Sequence, residues 1–313
     1  KIGRSIEITK GLIHNYRNRE YIDQCIGMCK ILPRVEESYD LAIAYSAPVS
    51  LALYYVAYNI KANKKWTWIH NEVDQITVDI RDAKNVFKEY NKVFCVSKLA
   101  KEKFDLKLPE YKNKSEVFYN IMDFKLMEEK SKEKIEKSFD AKQYNILTVG
   151  RICEEKGQDI IPAIALKLKE KEINYKWYLI GEGEFEEKLR KEIKRLQIEN
   201  YIILLGKKLN PYPYFRNCNL YVQTSRQEGY GLTLTEAKYF LKPIISSNTA
   251  GAMEQIVNES NGIITEFGVD QFVEQIISLY HDSEKCKCIE KQLQKERIKL
   301  IENKKIEEKL KEI

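Results

Sequence analysis

Short apolar runs alternate along this chain with longer segments of helical period. Leu41–Tyr45 reads as a buried strand, a helix is expected from about Pro48 to Ala62 with proline near its first turn, and Lys65–His70 reads as the next strand. Val93–Val96 follows, with Ser97 placed to cap a lysine-rich helix to about Leu106, and Val117–Tyr119 is a further short strand. Residues 121–143 break the pattern: rich in Lys and Glu and poor in strand formers, they read as a linker with one exposed helix. The alternation restarts with strands at Asn145–Val149, Lys176–Ile180, Tyr201–Leu205, Leu220–Gln223, Pro243–Ser246 and Ile263–Thr265. Between them, helices are expected at about Gln158–Glu170, Glu184–Leu196, Tyr212–Asn217 and Gly231–Phe240. Asp270–His281 and a charged helix from Ser283 to Ile313, with Ile289, Leu293, Ile298 and Ile301 at near-helical spacing, close the chain.

Such alternation implies parallel sheets covered by helices on both faces. The expected architecture is α/β, with two doubly wound, Rossmann-like domains over 1–120 and 144–282 facing a cleft, the linker 121–143 between them and the helix 283–313 at the end. Sheets of this kind bind ligands beyond the carboxyl ends of their strands. A length of 313 residues suits two domains. Hydrophobic residues at 43% exclude a disordered chain, and the longest apolar stretch, near Leu51–Tyr58, falls well short of the roughly 20 residues that span a bilayer. The 7 cysteines form no CxxC pair, and the nearest spacings, Cys25/Cys29 and Cys286/Cys288, have no histidine group beside them. That argues against zinc and for a reduced, cytoplasmic setting. A net charge of +6 permits contact with phosphates, nucleic acid or an anionic membrane surface without demanding any of them, and the partners expected below include no nucleic acid. The chain opens on Lys1 rather than methionine, with no signal-peptide core behind it, and reads as trimmed.

Two constellations carry candidate chemistry. Gly150-Arg-Ile-Cys-Glu-Glu-Lys-Gly157 directly follows a strand, where Gly150 allows a sharp turn and Arg151 and Lys156 can neutralise phosphate oxygens. Solvated loop residues paired with Glu154 and Glu155 are the plainer reading of the same stretch. Arg226-Gln-Glu-Gly-Tyr-Gly-Leu-Thr-Leu-Thr-Glu-Ala237 follows another strand, and Gly229 and Gly231 open a helix whose first N–H groups make an anion site. Glu228 precedes that helix and Glu236 lies inside it, so both carboxylates can reach a ligand at the helix start. A helix cap and a surface glutamate fit these residues equally well.

The E-x7-E pair Glu228/Glu236, with G-R-x4-K-G at Gly150–Gly157 about eighty residues earlier, resembles the retaining family 4 glycosyltransferases of the GT-B fold. Leu179–Gly183, Leu205-Gly206, Ser247–Gly251, Trp68–His70 and Val96-Ser97 extend the resemblance over most of the chain from about residue 40. The resemblance implies transfer of a glycosyl group from a nucleotide-diphosphate sugar to an acceptor hydroxyl, with retention and without a bound metal or other cofactor. It implies that Arg151 and Lys156 bind the diphosphate, Glu236 the ribose hydroxyls, and Glu228 and His70 the region of the donor sugar. Backbone N–H groups from Tyr230 through Gly231 and Leu232 to Thr233 would hold the leaving phosphates. The absence of an Asp-x-Asp motif agrees with a site that uses side-chain cations and a helix start instead.

Acceptors implied are carbohydrates or lipid-linked sugars, in polysaccharide or glycolipid assembly at the inner face of the membrane. The stretch Lys98–Lys114 is a candidate for peripheral contact with anionic lipid, although an ordinary solvated helix and loop fits it as well. Nothing in residues 1–40 matches the glycine-rich loop with which family members begin, so an N-terminal truncation is expected. Three other functions fit less closely. A dehydrogenase would need glycine rather than Glu186 to complete the motif begun by Gly181-Glu-Gly183. A nucleotide-sugar epimerase would bind the same donor without an acceptor. A truncated transferase could serve as a partner protein alone.

Overall fold

The computed structural model describes residues 20–47, 49–70, 73, 79–135, 139, 142–301 and 311. The chain divides between Asn120 and Ile121 into two compact units.

The first unit holds a helix over residues 20–31 (α1) and a four-stranded parallel sheet. Its strands are β1 (Ser38–Ala47), β2 (Lys61–Ile69), β3 (Lys92–Cys95) and β4 (Ser115–Val117), in that spatial order. Helix α2 (Leu51–Asn59) connects β1 to β2, and α3 (Lys98–Lys107) connects β3 to β4. The expected helix to Ala62 stops three residues early because Lys61 and Ala62 already pair with Ser38 and Tyr39. Its start at Pro48 lies outside the described residues; Ser50 caps the observed helix by accepting a hydrogen bond from the Leu53 N–H at 3.2 Å. Ser97 caps α3 as expected, accepting from the Ala100 N–H at 3.1 Å. In the lysine-rich stretch, Lys101 pairs with Asp105 and the Lys114 ammonium donates to the Tyr90 carbonyl at 2.8 Å. One sheet face packs on α1 and α2 through Ile69, Val93, Cys95, Leu53 and Cys25. The other carries the ring cluster Trp66, Trp68, Phe94 and Phe118, with centroids 4.4–6.4 Å apart.

The second unit opens with α4 (Phe124–Lys130), in the stretch read as a linker. This helix is not simply exposed: Met127 is buried in the core of the unit, and Phe124 stacks on Tyr239 at 4.9 Å. The sheet comprises β5 (Tyr144–Val149), β6 (Tyr175–Ile180), β7 (Ile202–Leu204), β8 (Leu220–Gln223), β9 (Ile244–Ser247) and β10 (Ile263–Thr265). All pairings are parallel, in the order β10-β9-β8-β5-β6-β7. The helices are α5 (Ile161–Glu170), α6 (Glu186–Arg195), α7 (Tyr212–Asn217), α8 (Leu232–Tyr239), α9 (Ala250–Gln255), α10 (Val269–His281) and α11 (Ser283–Ile301).

Strand alternation distributes side chains to two cores, as a two-residue period requires. Ile146, Trp177, Leu179, Val222 and Ile245 face α5, α6 and α10, whereas Leu147, Tyr178, Ile180, Tyr221 and Ile244 face α4, α7, α8 and α9. This explains the continuous apolar runs in the sequence: both faces of each strand are covered. Ile289 and Leu293 join α11 to the first of these cores, while 302–310, in the remainder of the expected closing helix, lie outside the described residues. Among the described residues no helix is long and apolar enough to cross a membrane.

Candidate nucleotide-sugar site

In the second unit the strand order reverses between β5 and β8, which are neighbours although 74 residues separate Ile146 from its partner Leu220. Open α/β sheets leave a crevice outside the strand ends at such a point. The two motif loops leave the carboxyl ends of these two strands. Thr148 ties them together inside the sheet: its hydroxyl donates to the Val222 carbonyl at 2.7 Å and accepts from the Trp177 indole at 3.0 Å.

The loops are also joined directly. Gly157 takes a left-handed conformation (φ +64°), and a Cβ there would stand 2.0 Å from the Thr224 carbonyl oxygen. The Arg226 N–H donates to the Glu155 carbonyl at 2.8 Å, and the Thr224 hydroxyl donates to the Lys156 carbonyl at 3.1 Å. Arg226 forms a bidentate pair with Asp159 (2.6 and 2.7 Å), donates to the Glu154 carbonyl at 2.8 Å and stacks on Phe267. Its fork holds the Asp159 carboxyl below its usual range. Gly157→Ala is therefore expected to destabilise the protein by roughly 2–4 kcal/mol, combining left-handed strain with overlap on a carbonyl. Urea unfolding measures this; a loss below about 1 kcal/mol would contradict the loop packing described.

Across this junction the Lys156 ammonium pairs with the Glu228 carboxylate, both largely shielded from solvent (side-chain exposures 29% and 14%). The structure thus brings together two residues that the sequence places in separate motifs. Arg151 is on the same loop but exposed, 3.0 Å from Glu155, so its fork is turned to a loop partner. This is the contact of the plainer sequence reading; Lys156 departs from it. Gly150 closes the strand end, its N–H donating to the Ile180 carbonyl at 2.9 Å. Gly206 follows β7 with φ +67°, and its carbonyl accepts from the Gly181 N–H at 3.0 Å.

Gly231 (φ +83°) caps α8, and its carbonyl accepts from the Leu234 N–H at 3.0 Å. Among the described residues the N–H groups of Gly231 and Leu232 have no acceptor. Tyr230 and Thr233 flank them; Thr233 donates its hydroxyl to Gln223 at 2.9 Å. Gly229 lies in the same loop, whose Glu228 carbonyl accepts from the Gly251 N–H at 2.9 Å. Glu236, one turn into α8, is half-buried with no hydrogen-bond or ion-pair partner among the described residues, and burial pushes its carboxyl up to about 7. His70 sits at the end of β2 in the first unit, where its Nε2 donates to the Tyr45 carbonyl at 3.0 Å and burial lowers its pKa. The ring is neutral at pH 7, which leaves Nδ1 as an acceptor.

Several contributors escaped the sequence reading. Asp159 and Arg226 are 67 positions apart, and only the fold joins them. Gln158 donates to the Arg151 carbonyl at 2.8 Å and so braces the first loop from within. Gln223 and Ser225 are buried at the end of β8, and the Gln223 Nε2 and the Ser225 hydroxyl find no partner among the described residues. Gly181 and Gly183, which suggested a dinucleotide motif, serve packing instead: a Cβ on either would lie 1.9 or 2.2 Å from a carbonyl oxygen of Gly150 or Ile152. No group of three or more His, Cys, Asp or Glu residues forms a metal-ligand set among the described residues.

A reversed-order parallel sheet with glycine-bearing loops at its switch point defines a Rossmann-like class of α/β protein. Residues 129–296, more than half of the chain, match the family model for glycosyl transferases group 1, and the chain belongs to that family. Over 202 residues it is 31% identical to an uncharacterized glycosyltransferase, MJ1178, of Methanocaldococcus jannaschii, covering 62% of this chain and 51% of that protein. Over 245 residues it is 26% identical to the N-acetylgalactosamine-N,N'-diacetylbacillosaminyl-diphospho-undecaprenol 4-alpha-N-acetylgalactosaminyltransferase of Campylobacter jejuni, covering 74% of this chain and 65% of that protein. The matched stretch spans between 37% and 65% of the length of such curated relatives. Anabaena Alr3699/HepE, solved in complex with UDP-glucose, superposes with a TM-score of 0.72 at 20% identity, covering 88% of this chain and 79% of that one. That likeness is one of fold, and the fold is GT-B.

Proposed function

We propose that this protein transfers a glycosyl group from a nucleotide-diphosphate sugar to an acceptor hydroxyl, with retention and without a bound metal. The observation that carries the reading is the Lys156–Glu228 pair, set across the β5/β8 switch point beside the N–H groups of Gly231 and Leu232. A cation and a helix start together suit a diphosphate, and donors aimed at charge that grows on a leaving group accelerate its departure. In this reading Lys156 and Arg151 meet the diphosphate, and Arg151 exchanges Glu155 for it. Glu236 accepts from the ribose hydroxyls, for which an unpartnered carboxylate is suited. Glu228 addresses the donor sugar, and the neutral Nδ1 of His70, in the first unit, is suited to accept from a sugar hydroxyl. The Campylobacter relative's name specifies a sugar transferred to a diphospho-undecaprenol-linked acceptor, which supports a carbohydrate or lipid-linked acceptor in polysaccharide or glycolipid assembly.

The test is a thermal-shift screen of nucleotide sugars, followed by transfer assays with and without chelator. Stabilisation by one nucleotide class and undiminished transfer in chelator are the expected results. Loss of transfer in chelator, restored by magnesium or manganese, would contradict the metal-free step. Epimerisation of the donor with no acceptor present would contradict transfer itself.

A further inference from the structure

We propose that Gln255, at the end of α9, is the positioning residue that aims the N–H groups of Gly231 and Leu232 outward as an anion site; this rests on the donor-site reading above. Gln255 is buried, at 8% exposure, yet its amide is fully engaged. Its Nε2 donates to the Tyr230 carbonyl and, at 3.1 Å, to the Gly231 carbonyl. Carbonyls only accept, so these two contacts fix the amino end of the amide toward the loop, and its Oε1 accepts from the Thr235 hydroxyl at 2.8 Å. In a trans peptide the C=O and the following N–H point in opposite directions. Holding both carbonyls on the Gln255 side therefore sends the N–H groups of Gly231 and Leu232 to the other side.

The support behind Gln255 is rigid. Its own carbonyl accepts from Lys238 at 2.7 Å and from Asn261 at 3.2 Å, and Glu296 of α11 holds both donors, at 3.0 Å from Lys238 and 2.9 Å from Asn261. A second feature of α9 acts in the same direction. A Cβ on Gly251 would stand 2.5 Å from the Tyr230 carbonyl oxygen, so the helix start can touch the loop backbone only as glycine. Glycine frees the loop to bend, and Gln255 selects the one orientation in which it presents donors.

The experiment compares binding of UDP, GDP, ADP and TDP, and of their parent nucleosides, to the wild-type chain and to Gln255→Met, which keeps the volume and removes the amide. Ligand-observed NMR titration reads the affinities. The expected result is at least a tenfold loss for the preferred diphosphate with nucleoside affinity unchanged. Thr235→Val, which removes the hydroxyl that anchors the amide oxygen, should show the same selective loss in smaller measure and serves if the methionine variant does not fold. Equal losses for diphosphate and nucleoside would make Gln255 a general structural residue and overturn the proposal, as would no loss in either variant. A wild-type chain that binds none of the four diphosphates would instead overturn the donor-site reading itself.

Discussion

Lys156→Ala is expected to lower kcat by about 10²–10³-fold, the range seen when one preorganised stabiliser of a developing anion is removed. The magnitude follows from the setting. The ammonium is held on a glycine-closed loop and is mostly shielded, so once it exchanges Glu228 for the diphosphate its charge acts at reduced dielectric. Arg151, exposed and paired with Glu155, should show a smaller loss on replacement by alanine, since solvent screens it. The companion variant Glu228→Gln separates binding from turnover. In the free protein the Glu228 carboxylate occupies the ammonium that the diphosphate is to meet. Neutralising it removes a like charge beside the ligand, so nucleoside diphosphate should bind several-fold tighter while transfer falls. Parallel loss of binding and transfer in Glu228→Gln would place the carboxylate in a supporting role only.

Glu236→Gln is expected to weaken nucleotide binding while stabilising the free protein at high pH. The sign follows from the raised carboxyl. In the unfolded chain Glu236 ionises near the ordinary value of 4.5, and in the folded protein it ionises near 7. Below about pH 4.5 both states hold the proton and the residue has no effect. Between the two values the folded state keeps a proton that the unfolded state has lost, so stability falls as pH rises. Above pH 7 the penalty is complete, on the order of 3 kcal/mol. Glutamine carries no such penalty. Urea unfolding should therefore show the variant more stable than wild type at pH 8, with the difference vanishing towards pH 4.5. Nucleotide affinity of the wild type should also fall as pH drops below 7, because the ribose hydroxyls need the ionised acceptor, and that dependence should disappear in the variant. A variant less stable than wild type at pH 8 would mean that the carboxylate has a partner in solution.

The fold was legible wherever apolar runs and helical period alternate. Tyr212–Asn217, Leu220–Gln223 and Ile263–Thr265 stand at the expected residues, and Ser97 caps its helix. Misses arose where pairing over distance overrides local pattern. Lys61–Lys64, polar and helix-compatible, are strand because β1 lies alongside. Helix α9 is six residues containing glycine and shows no period of its own. Helix α1 carries one, through Ile22, Cys25, Ile26 and Cys29, but two of these four positions are cysteines, whose place in the core shows only in their burial. At the site, Lys156 and Glu228 were each visible in a motif, whereas their contact spans 72 positions and needed the β5/β8 neighbourhood. Gln255 was invisible because its role is to bond two backbone carbonyls, which leaves no side-chain pattern in sequence.

In the proposed donor site a nucleotide ribose sits against Glu236 of α8. Calorimetric titration of wild type and Glu236→Gln with a nucleoside diphosphate and with its 2′,3′-dideoxy analogue tests it as a double-mutant cycle. The wild type is expected to lose affinity with the analogue by roughly 1.5–3 kcal/mol, and the glutamine variant to lose little further. Losses that simply add would mean that Glu236 does not touch the ribose, and would contradict the assignment of this crevice as the donor site.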